Sequence, residues 1–155
     1  MKIKTLEEIL PLVSDLKKLN KKIVFTNGCF DIIHAGHVQY LEDARALGDV
    51  LIVGMNSDSS VKIIKDSSRP IISEEERAIV VSGLSSVSYI IFFEEDTPYN
   101  LIKKIMPNVL VKGGDWKPKD IVGSDIVSAT GGEVKSLMFR NGISTTEIIN
   151  RIKKL

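Results

Sequence analysis

The sequence contains a single cysteine, and its basic and acidic residues almost cancel. One cysteine in 155 residues excludes an intramolecular disulfide framework, so we expect a protein of the reducing cytoplasm. The 21 Lys and Arg against 20 Asp and Glu give a formal net charge of +1, which argues against a nucleic-acid or membrane surface. No apolar run approaches the roughly 18 residues of a membrane-spanning helix, and the charged N-terminus lacks the apolar core of a signal peptide. We therefore expect neither a nucleic-acid nor a membrane partner.

The chain also lacks internal repeats, low-complexity tracts and recognisable linkers, so we expect one domain over residues 1–155. Apolar residues at helical spacing predict an amphipathic helix within residues 1–20, covering the sheet or a dimer partner. The core is expected over 22–155, where strand-like apolar runs alternate with helical patterns. This alternation predicts an α/β fold with a Rossmann-like, doubly wound, five-stranded parallel sheet. Capping residues mark four helix starts, at Thr5, Ser57, Ser73 and Ser144.

A strand, a small-residue turn and a helix follow one another over residues 22–47. The N–H groups at a helix start and the positive end of its dipole form a natural anion site. His34 and His37 share one face of this helix start, and Gly36 between them allows a ligand close to the backbone. The stretch therefore predicts a phosphate-binding site without an obvious nucleophile beside a base.

His34 and His37 account for both histidines of the chain. As functional residues they would donate to phosphate oxygens and stabilise charge on a reacting phosphoryl group and its departing pyrophosphate. As structural residues they would cap the helix or fill the core. Their joint position at the predicted anion site favours the functional interpretation. A zinc site needs three or four ligands, and Cys29 with no third histidine argues against one.

Further polar residues are predicted at the same edge of the sheet, because ligands bind beyond the carboxyl ends of parallel strands. Residues 26–30, 56–58 and 113–115 each follow a predicted strand, so one crevice can hold all three. Three cations, Lys62, Lys65 and Arg69, fall within eight positions. They form either a solvated charge run or a phosphate clamp.

The final helix also begins with a pattern that has two interpretations. Ser144 to Glu147 has the sequence of a capping box, and such a helix start is at the same time a phosphate cradle. The helix is expected to bury four apolar residues, Ile148, Ile149, Ile152 and Leu155.

The motif His34-Ala35-Gly36-His37, after a strand and the turn Gly28-Cys29-Phe30-Asp31, resembles the cytidylyltransferase-like nucleotidyltransferase superfamily. Segments 111–116 and 144–146 follow in the order that the superfamily shows. Within it, the sequence is most similar to the adenylyltransferase domain of bacterial ADP-heptose synthases, over almost the whole length from residue 22. Cytidylyltransferases that use glycerol phosphate typically carry an arginine five positions before the serine of segment 144–146. Phe139 stands there, with Arg140 one position later, which favours the heptose branch.

The resemblance implies transfer of AMP from ATP to D-glycero-D-manno-heptose 1-phosphate, with pyrophosphate released and Mg²⁺ accompanying ATP. The alternatives are another polyol or sugar phosphate, such as glycerol 3-phosphate, and a non-catalytic nucleotide-binding module. We assign catalysis to His34, His37 and Lys65. We assign nucleotide contacts to Thr26, Asn27, Gly28, Phe30, Gly36, Gly114, Asp115, Ser144, Thr145 and Thr146. We assign sugar-phosphate contacts to Asp31, Asn56, Asp58, Arg69, Arg77 and Lys112.

The roles of three residues stay open at the level of sequence. Asp31 either orients a histidine or organises its turn, and Arg77 either pairs with an acidic neighbour or reaches the sugar phosphate. Trp116 either stacks on a base or seals its loop, and we favour the second. Members of the family commonly form dimers, so we expect a homodimer. A sugar kinase domain precedes this one in the bifunctional relatives, and we expect the kinase here to be a separate protein.

Overall fold

The computed structural model describes residues 1–138 and 142–155, in which strands and helices alternate as predicted. The strands are β1 (Ile23–Gly28), β2 (Val50–Asn56), β3 (Tyr89–Phe93), β4 (Val109–Gly113) and β5 (Glu133–Leu137). The helices are α1 (Leu6–Lys18), α2 (Ala35–Arg45), α3 (Asp58–Ile64), α4 (Glu74–Ser82), α5 (Tyr99–Ile105), α6 (Ser124–Ala129) and α7 (Thr145–Ile152), with a 3-10 turn at Pro118–Asp120. No helix within these ranges combines the length and the apolar character needed to cross a membrane.

The five strands of the described ranges form one parallel sheet in the order β3-β2-β1-β4-β5. The chain builds outward from β1 through β2 to β3, then returns to the other side of β1 for β4 and β5. Strand order therefore reverses between β1 and β4, and the carboxyl ends of these strands flank the crevice where such sheets bind ligands. The predicted doubly wound, Rossmann-like sheet is confirmed.

Two apolar layers cover the faces of this sheet, and successive residues of β1 alternate between them. Val24 packs in the layer that contains residues of α2 and α4. Ile23 and Phe25 pack in the opposite layer, with residues of α1, α5 and α6. All three side chains are fully buried, and burial of each such side chain stabilises the fold by roughly 1.5–3 kcal/mol. The rigid central strand is what fixes the position of the turn that follows it.

Helix α1 begins through the predicted capping box. The Thr5 hydroxyl accepts from the Glu8 amide at 3.3 Å, and the Glu8 carboxylate accepts from the Thr5 amide at 2.9 Å. Ile9 and Val13, one turn apart, are buried in the layer that also contains α5 and α6. The helix therefore covers one face of the sheet, which is one of the two positions predicted for it.

The prediction that α7 buries an apolar face is wrong. Ile148 and Ile149 are only half-buried, and Ile152 is 58% exposed. Among the described residues, α7 contributes no member to either apolar layer of the sheet. A polar bond of its first turn holds the helix in place instead. This turn closes one side of the crevice.

Candidate active site

A cleft of about 630 Å³ opens where β1 and β4 end, at the reversal of strand order. The turn between β1 and α2, the segment after α3, the end of β4 and the first turn of α7 form its walls. The predicted site residues that line it are Asn27, Gly28, Phe30, Asp31, His34, Gly36, His37, Asn56, Lys65, Arg69, Lys112, Ser144, Thr145 and Thr146. The fold therefore brings the first and last motifs of the chain into one cavity.

A direct hydrogen bond joins these two motifs. Thr145 Oγ1 donates to the carbonyl oxygen of Asp31 at 2.8 Å. Ser144 caps α7, because its hydroxyl accepts from the Glu147 amide at 3.1 Å. The starts of α2 and α7 consequently lie on the same cleft. Both helices point the positive end of their dipole at this cleft, which suits an anion with several phosphates.

His34 is the capping residue of α2 as well as part of the cleft wall. Its Nδ1 accepts from the Gly36 amide at 3.2 Å, so its neutral ring carries the proton on Nε2. Position 36 favours glycine, because an added Cβ would lie 3.0 Å from the His34 ring and 3.3 Å from Ile143. The structural interpretation of His34 as a helix cap is therefore compatible with the functional interpretation, in which it contacts a ligand.

The rings of His34 and His37 stack, with centroids 3.9 Å apart and planes at 26°. The Phe30 ring lies 5.5 Å from His37 in a tilted arrangement. Burial and the neighbouring His34 lower the pKa of His37 to about 4, against a smaller opposing effect of Asp31. Burial also lowers the pKa of His34. Without a ligand, both imidazoles are therefore neutral at physiological pH.

Asp31 organises the segment after α3, and no hydrogen bond joins its carboxylate to a histidine within residues 1–138 and 142–155. Its buried carboxylate accepts from Arg69 Nε at 2.7 Å, from the Ile71 amide at 2.9 Å and from the Ile72 amide at 3.0 Å. Burial would raise the pKa of Asp31, but these donors outweigh it and hold the pKa below its ordinary value. The carboxylate thus fixes Arg69 at the cleft.

Three cations reach the cleft from different elements. Lys65 ends α3 and is exposed, Arg69 lies in the following segment, and Lys112 is half-buried near the end of β4. Burial lowers the pKa of Lys112, and the neighbouring Lys65 contributes in the same direction. Cations that repel one another across a cleft favour a polyanion between them. This placement supports the phosphate-clamp interpretation of Lys65 and Arg69.

Arg77 lies behind the cleft and does not line it. It is 2% exposed, and its guanidinium donates to the carbonyl oxygens of Ile72, Cys29 and Asn56 at 3.0, 2.5 and 3.0 Å. It also donates to the Asp58 carboxylate at 2.8 Å. Arg77 and Asp58, which we assigned to the sugar phosphate, are therefore placed as supports for the carboxyl ends of β1 and β2.

Three predicted nucleotide contacts also lie away from the cleft lining. Thr26 is fully buried, and its hydroxyl bonds the Tyr40 hydroxyl at 2.5 Å beneath the site. Gly114 is in the left-handed region, with φ 111°, and its amide donates to the Leu137 carbonyl at 2.9 Å, while Asp115 is exposed. The bonds of Thr26 and Gly114 favour a supporting role for these two residues over direct contact.

Trp116 lines the cleft, and its position is fixed by its loop. Its Nε1 donates to the Gly113 carbonyl at 3.2 Å, and its amide donates to Ser136 Oγ at 3.1 Å. The residue is 49% exposed. These two bonds agree with the loop-sealing interpretation that we favoured.

Sequence reasoning missed two segments of the cleft wall. Residues 96–98 follow β3, and residues 120–122 begin with the last residue of the 3-10 turn and precede α6. The rule that residues after parallel strands line the crevice could have found the first segment, since it applies to β3 as it does to β1, β2 and β4. The second has no sequence signal of that kind.

Phe139 and Arg140, which supported the heptose branch, lie outside the described residues 1–138 and 142–155.

Replacing Asp31 by asparagine is expected to destabilise the protein by about 1.5–3 kcal/mol near neutral pH, the usual value of hydrogen bonds to a charged group. Because the pKa of Asp31 is lowered in the fold, its contribution is present above the unfolded pKa of about 3.9 and is lost as pH falls through the folded value. Urea denaturation of both proteins should therefore show a difference in the free energy of unfolding that disappears as the solution is acidified. A difference in the free energy of unfolding that stays constant with pH would contradict this role for the carboxylate.

Comparison with known proteins adds three findings. The model of the cytidylyltransferase-like family matches residues 25–151. The bifunctional protein HldE of Aliarcobacter butzleri is 57% identical over 152 residues, which cover 98% of this chain and 31% of that protein. The HldE of Campylobacter concisus is 58% identical over the same shares of each. The chain thus spans about a third of the length of the curated relatives that it matches.

Two solved structures are also similar. The lipopolysaccharide core biosynthesis protein of Thermoplasma volcanium has a TM-score of 0.62 and 25% identity, covering 79% of this chain and 99% of that one. The pantoate-beta-alanine ligase of Francisella tularensis has a TM-score of 0.62 at 16% identity, covering 100% of this chain and 78% of that one, which shows the fold alone. The family match extends from the central strand, through the histidine pair, to the helix that closes the cleft. The chain therefore belongs to the cytidylyltransferase-like family of nucleotidyltransferases.

Proposed function

We propose that this chain transfers AMP from ATP to a heptose 1-phosphate, forming ADP-heptose and pyrophosphate. The relationship to the bifunctional HldE proteins supports the heptose substrate, and the sequence resembles the adenylyltransferase domain of ADP-heptose synthases. The nucleotide would lie in the cleft at the ends of β1 and β4, with the sugar phosphate beside it.

The hydrogen bond between Thr145 Oγ1 and the Asp31 carbonyl is the observation that carries this proposal. It holds two helix starts on one cavity that also contains the stacked His34 and His37 rings. Lys65 and other cations line the same cavity. Such a concentration of N–H donors and positive charge matches a triphosphate far better than a neutral ligand.

In the proposed reaction, an anionic phosphate oxygen of the sugar attacks the α-phosphorus of ATP in line. The new O–P bond forms as the bond between the α-phosphorus and the bridging oxygen breaks, and pyrophosphate takes the electron pair. The nucleophile is already ionised, so the protein supplies position and charge neutralisation and needs no general base. We assign that work to His34, His37, Lys65 and the start of α7.

Cys29 does not compete as a nucleophile. The thiol lies on the cleft, but burial raises its pKa, and the nearby Lys65, Arg77, Arg69 and Lys112 only partly oppose that. A thiol held protonated is a poor nucleophile. This supports direct transfer without a covalent enzyme intermediate.

Mg²⁺ enters this proposal as part of the MgATP substrate. The described residues contain no group of three or more His, Cys, Asp or Glu side chains arranged to hold a metal ion. Mg²⁺ in such sites usually keeps several waters and is bound through substrate phosphates. The donor set of this cleft therefore fits a metal that arrives with the nucleotide.

A pyrophosphate-release assay with matched substrate pairs tests the function. We expect turnover with ATP plus heptose 1-phosphate and none with CTP plus glycerol 3-phosphate. Turnover with the second pair would assign the chain to the glycerol-phosphate branch. Binding of ATP with no turnover on any sugar phosphate would indicate a nucleotide-binding module.

MgATP is expected to protect Cys29 from alkylation. Cys29 is the single cysteine of the chain and lines the cleft, so the total thiol signal reports this site alone. At a MgATP concentration about ten times its Kd, the rate with iodoacetamide should fall by about tenfold. The same measurement in denaturing urea is the control, because the unfolded thiol should react equally fast with and without nucleotide. An unchanged rate in the folded protein would place the nucleotide elsewhere.

A further inference from the structure

The two stacked imidazoles differ in how strongly their surroundings restrict their protonation state. His34 Nδ1 accepts a hydrogen bond from the Gly36 amide, and a protonated Nδ1 could not do so. A cation at this position would also face the positive end of the α2 dipole. The capping bond therefore favours the neutral form of His34, with its proton on Nε2.

The protonation state of His37 is not held by a bond of this kind within residues 1–138 and 142–155. Its Nδ1 is buried and has no hydrogen-bond partner within the described part of the chain. The titratable groups that act on it are His34 on its own helix and Asp31 on the preceding turn. The other cations that line the same cleft, from α3, the following segment and β4, are Lys65, Arg69 and Lys112. Apart from Asp31, these surroundings disfavour a charged imidazole while the cleft holds no anion.

We propose that binding of the ATP triphosphate draws one proton from solvent onto His37, while His34 stays neutral and donates through Nε2–H. This inference rests on the proposed function. It divides the histidine pair into one fixed neutral donor and one group that becomes a cation only when the anion arrives. No covalent bond of the nucleotide changes in this step, and the buffer supplies the proton.

The charge of the ligand is sufficient for this change. The pKa of His37 is about 4 in the ligand-free protein. One opposite charge within about 4–6 Å can raise a pKa by about 1–3, and a triphosphate brings several such charges. The His37 ring stays stacked on the neutral His34 ring at 3.9 Å, so the added favourable charge comes from the triphosphate alone.

Calorimetry of MgATP binding in two buffers with different ionisation enthalpies measures the proton uptake. For the unmodified protein at about pH 6.5 we expect uptake of about 0.3–1 proton per nucleotide, falling as pH rises through neutrality. His37→Asn should abolish this uptake. His34→Asn is the matched control, since asparagine preserves the cap, and it should retain the uptake.

Ring ¹⁵N NMR of the unmodified protein gives the same information without mutation. The chain has 2 histidines, so the spectrum holds two sets of ring signals. MgATP should convert one set to the imidazolium pattern and leave the other as the Nε2–H tautomer. Binding heat without buffer dependence, or imidazolium formation at His34, would overturn the inference while leaving the proposed function intact. Absence of binding heat would instead reject the proposed function, and the inference with it.

Discussion

Replacing His37 by alanine is expected to lower kcat for pyrophosphate release by about 10²–10³, the usual effect of removing one preorganised donor to a transition state. His37 lines the cleft at the start of α2, where the departing pyrophosphate would lie under the proposed function. The ring is only half-buried, so the fold should survive its loss. Steady-state kinetics with ATP and heptose 1-phosphate, together with circular dichroism, measures both effects.

Gln39→Ala is the matched control for this variant. Gln39 is exposed two residues further along the same helix, and its amide bonds only Asp43 on the helix surface among the described residues. Its kinetics should equal those of the unmodified protein. Near-normal turnover in His37→Ala would remove this imidazole from the mechanism.

Replacing Arg77 by methionine is expected to lower the free energy of unfolding by about 3–5 kcal/mol, because several main-chain oxygens lose a charged donor at a cost of about 1–3 kcal/mol each. The substitution keeps an apolar stem of similar length and removes all the donors. It leaves the Asp58 carboxylate and the carbonyl oxygens of Cys29, Asn56 and Ile72 without the bonds that Arg77 supplies. Urea denaturation at a fixed pH measures the loss.

Arg151→Met provides the comparison on an exposed helix surface, where a change within about 0.5 kcal/mol is expected. If Arg77→Met also cost less than about 1 kcal/mol, the buried network would not be the support that we describe. A variant that remains folded but binds MgATP weakly would show that the network positions the cleft.

The order and type of the elements follow from local physics and were predictable. Four consecutive apolar residues in β2 indicate a strand buried on both faces, which in turn indicates a parallel sheet. Ser57, Ser73 and Ser144 each cap the helix that they were predicted to begin. The Rossmann-like arrangement then places residues after the strands in one crevice, which is why most of the predicted site lines it.

The partners of individual side chains were not predictable in the same way. Asp31 accepts from amides 40 and 41 positions away, and nothing in its local pattern indicates which segment will fold over it. Phe30 and Ile32 adopt φ values of 51° and 50°, which neither residue type favours. Such conformations persist only when the surrounding structure imposes them.

The prediction that α7 buries an apolar face was wrong for a related reason. Its spacing of isoleucines is typical of a helix packed on a sheet, yet the bond from Thr145 to the Asp31 carbonyl holds its first turn at the cleft. Periodicity reports which side of a helix is apolar, but it does not report what lies opposite that side. The position of α7 depends on the bond between Thr145 and Asp31, which are more than a hundred residues apart in the sequence.

The Arg77 network also bears on how relatives of this protein can diverge. Three of its four acceptors are main-chain carbonyl oxygens, at Cys29, Asn56 and Ile72, and every amino acid carries one. Cys29 and Asn56 line the cleft, so a codon change at either position alters the chemistry presented to a substrate without removing an anchor of the scaffold. Lineages descended from a common ancestor could therefore explore new substrates at the ends of β1 and β2 while inheriting the same frame.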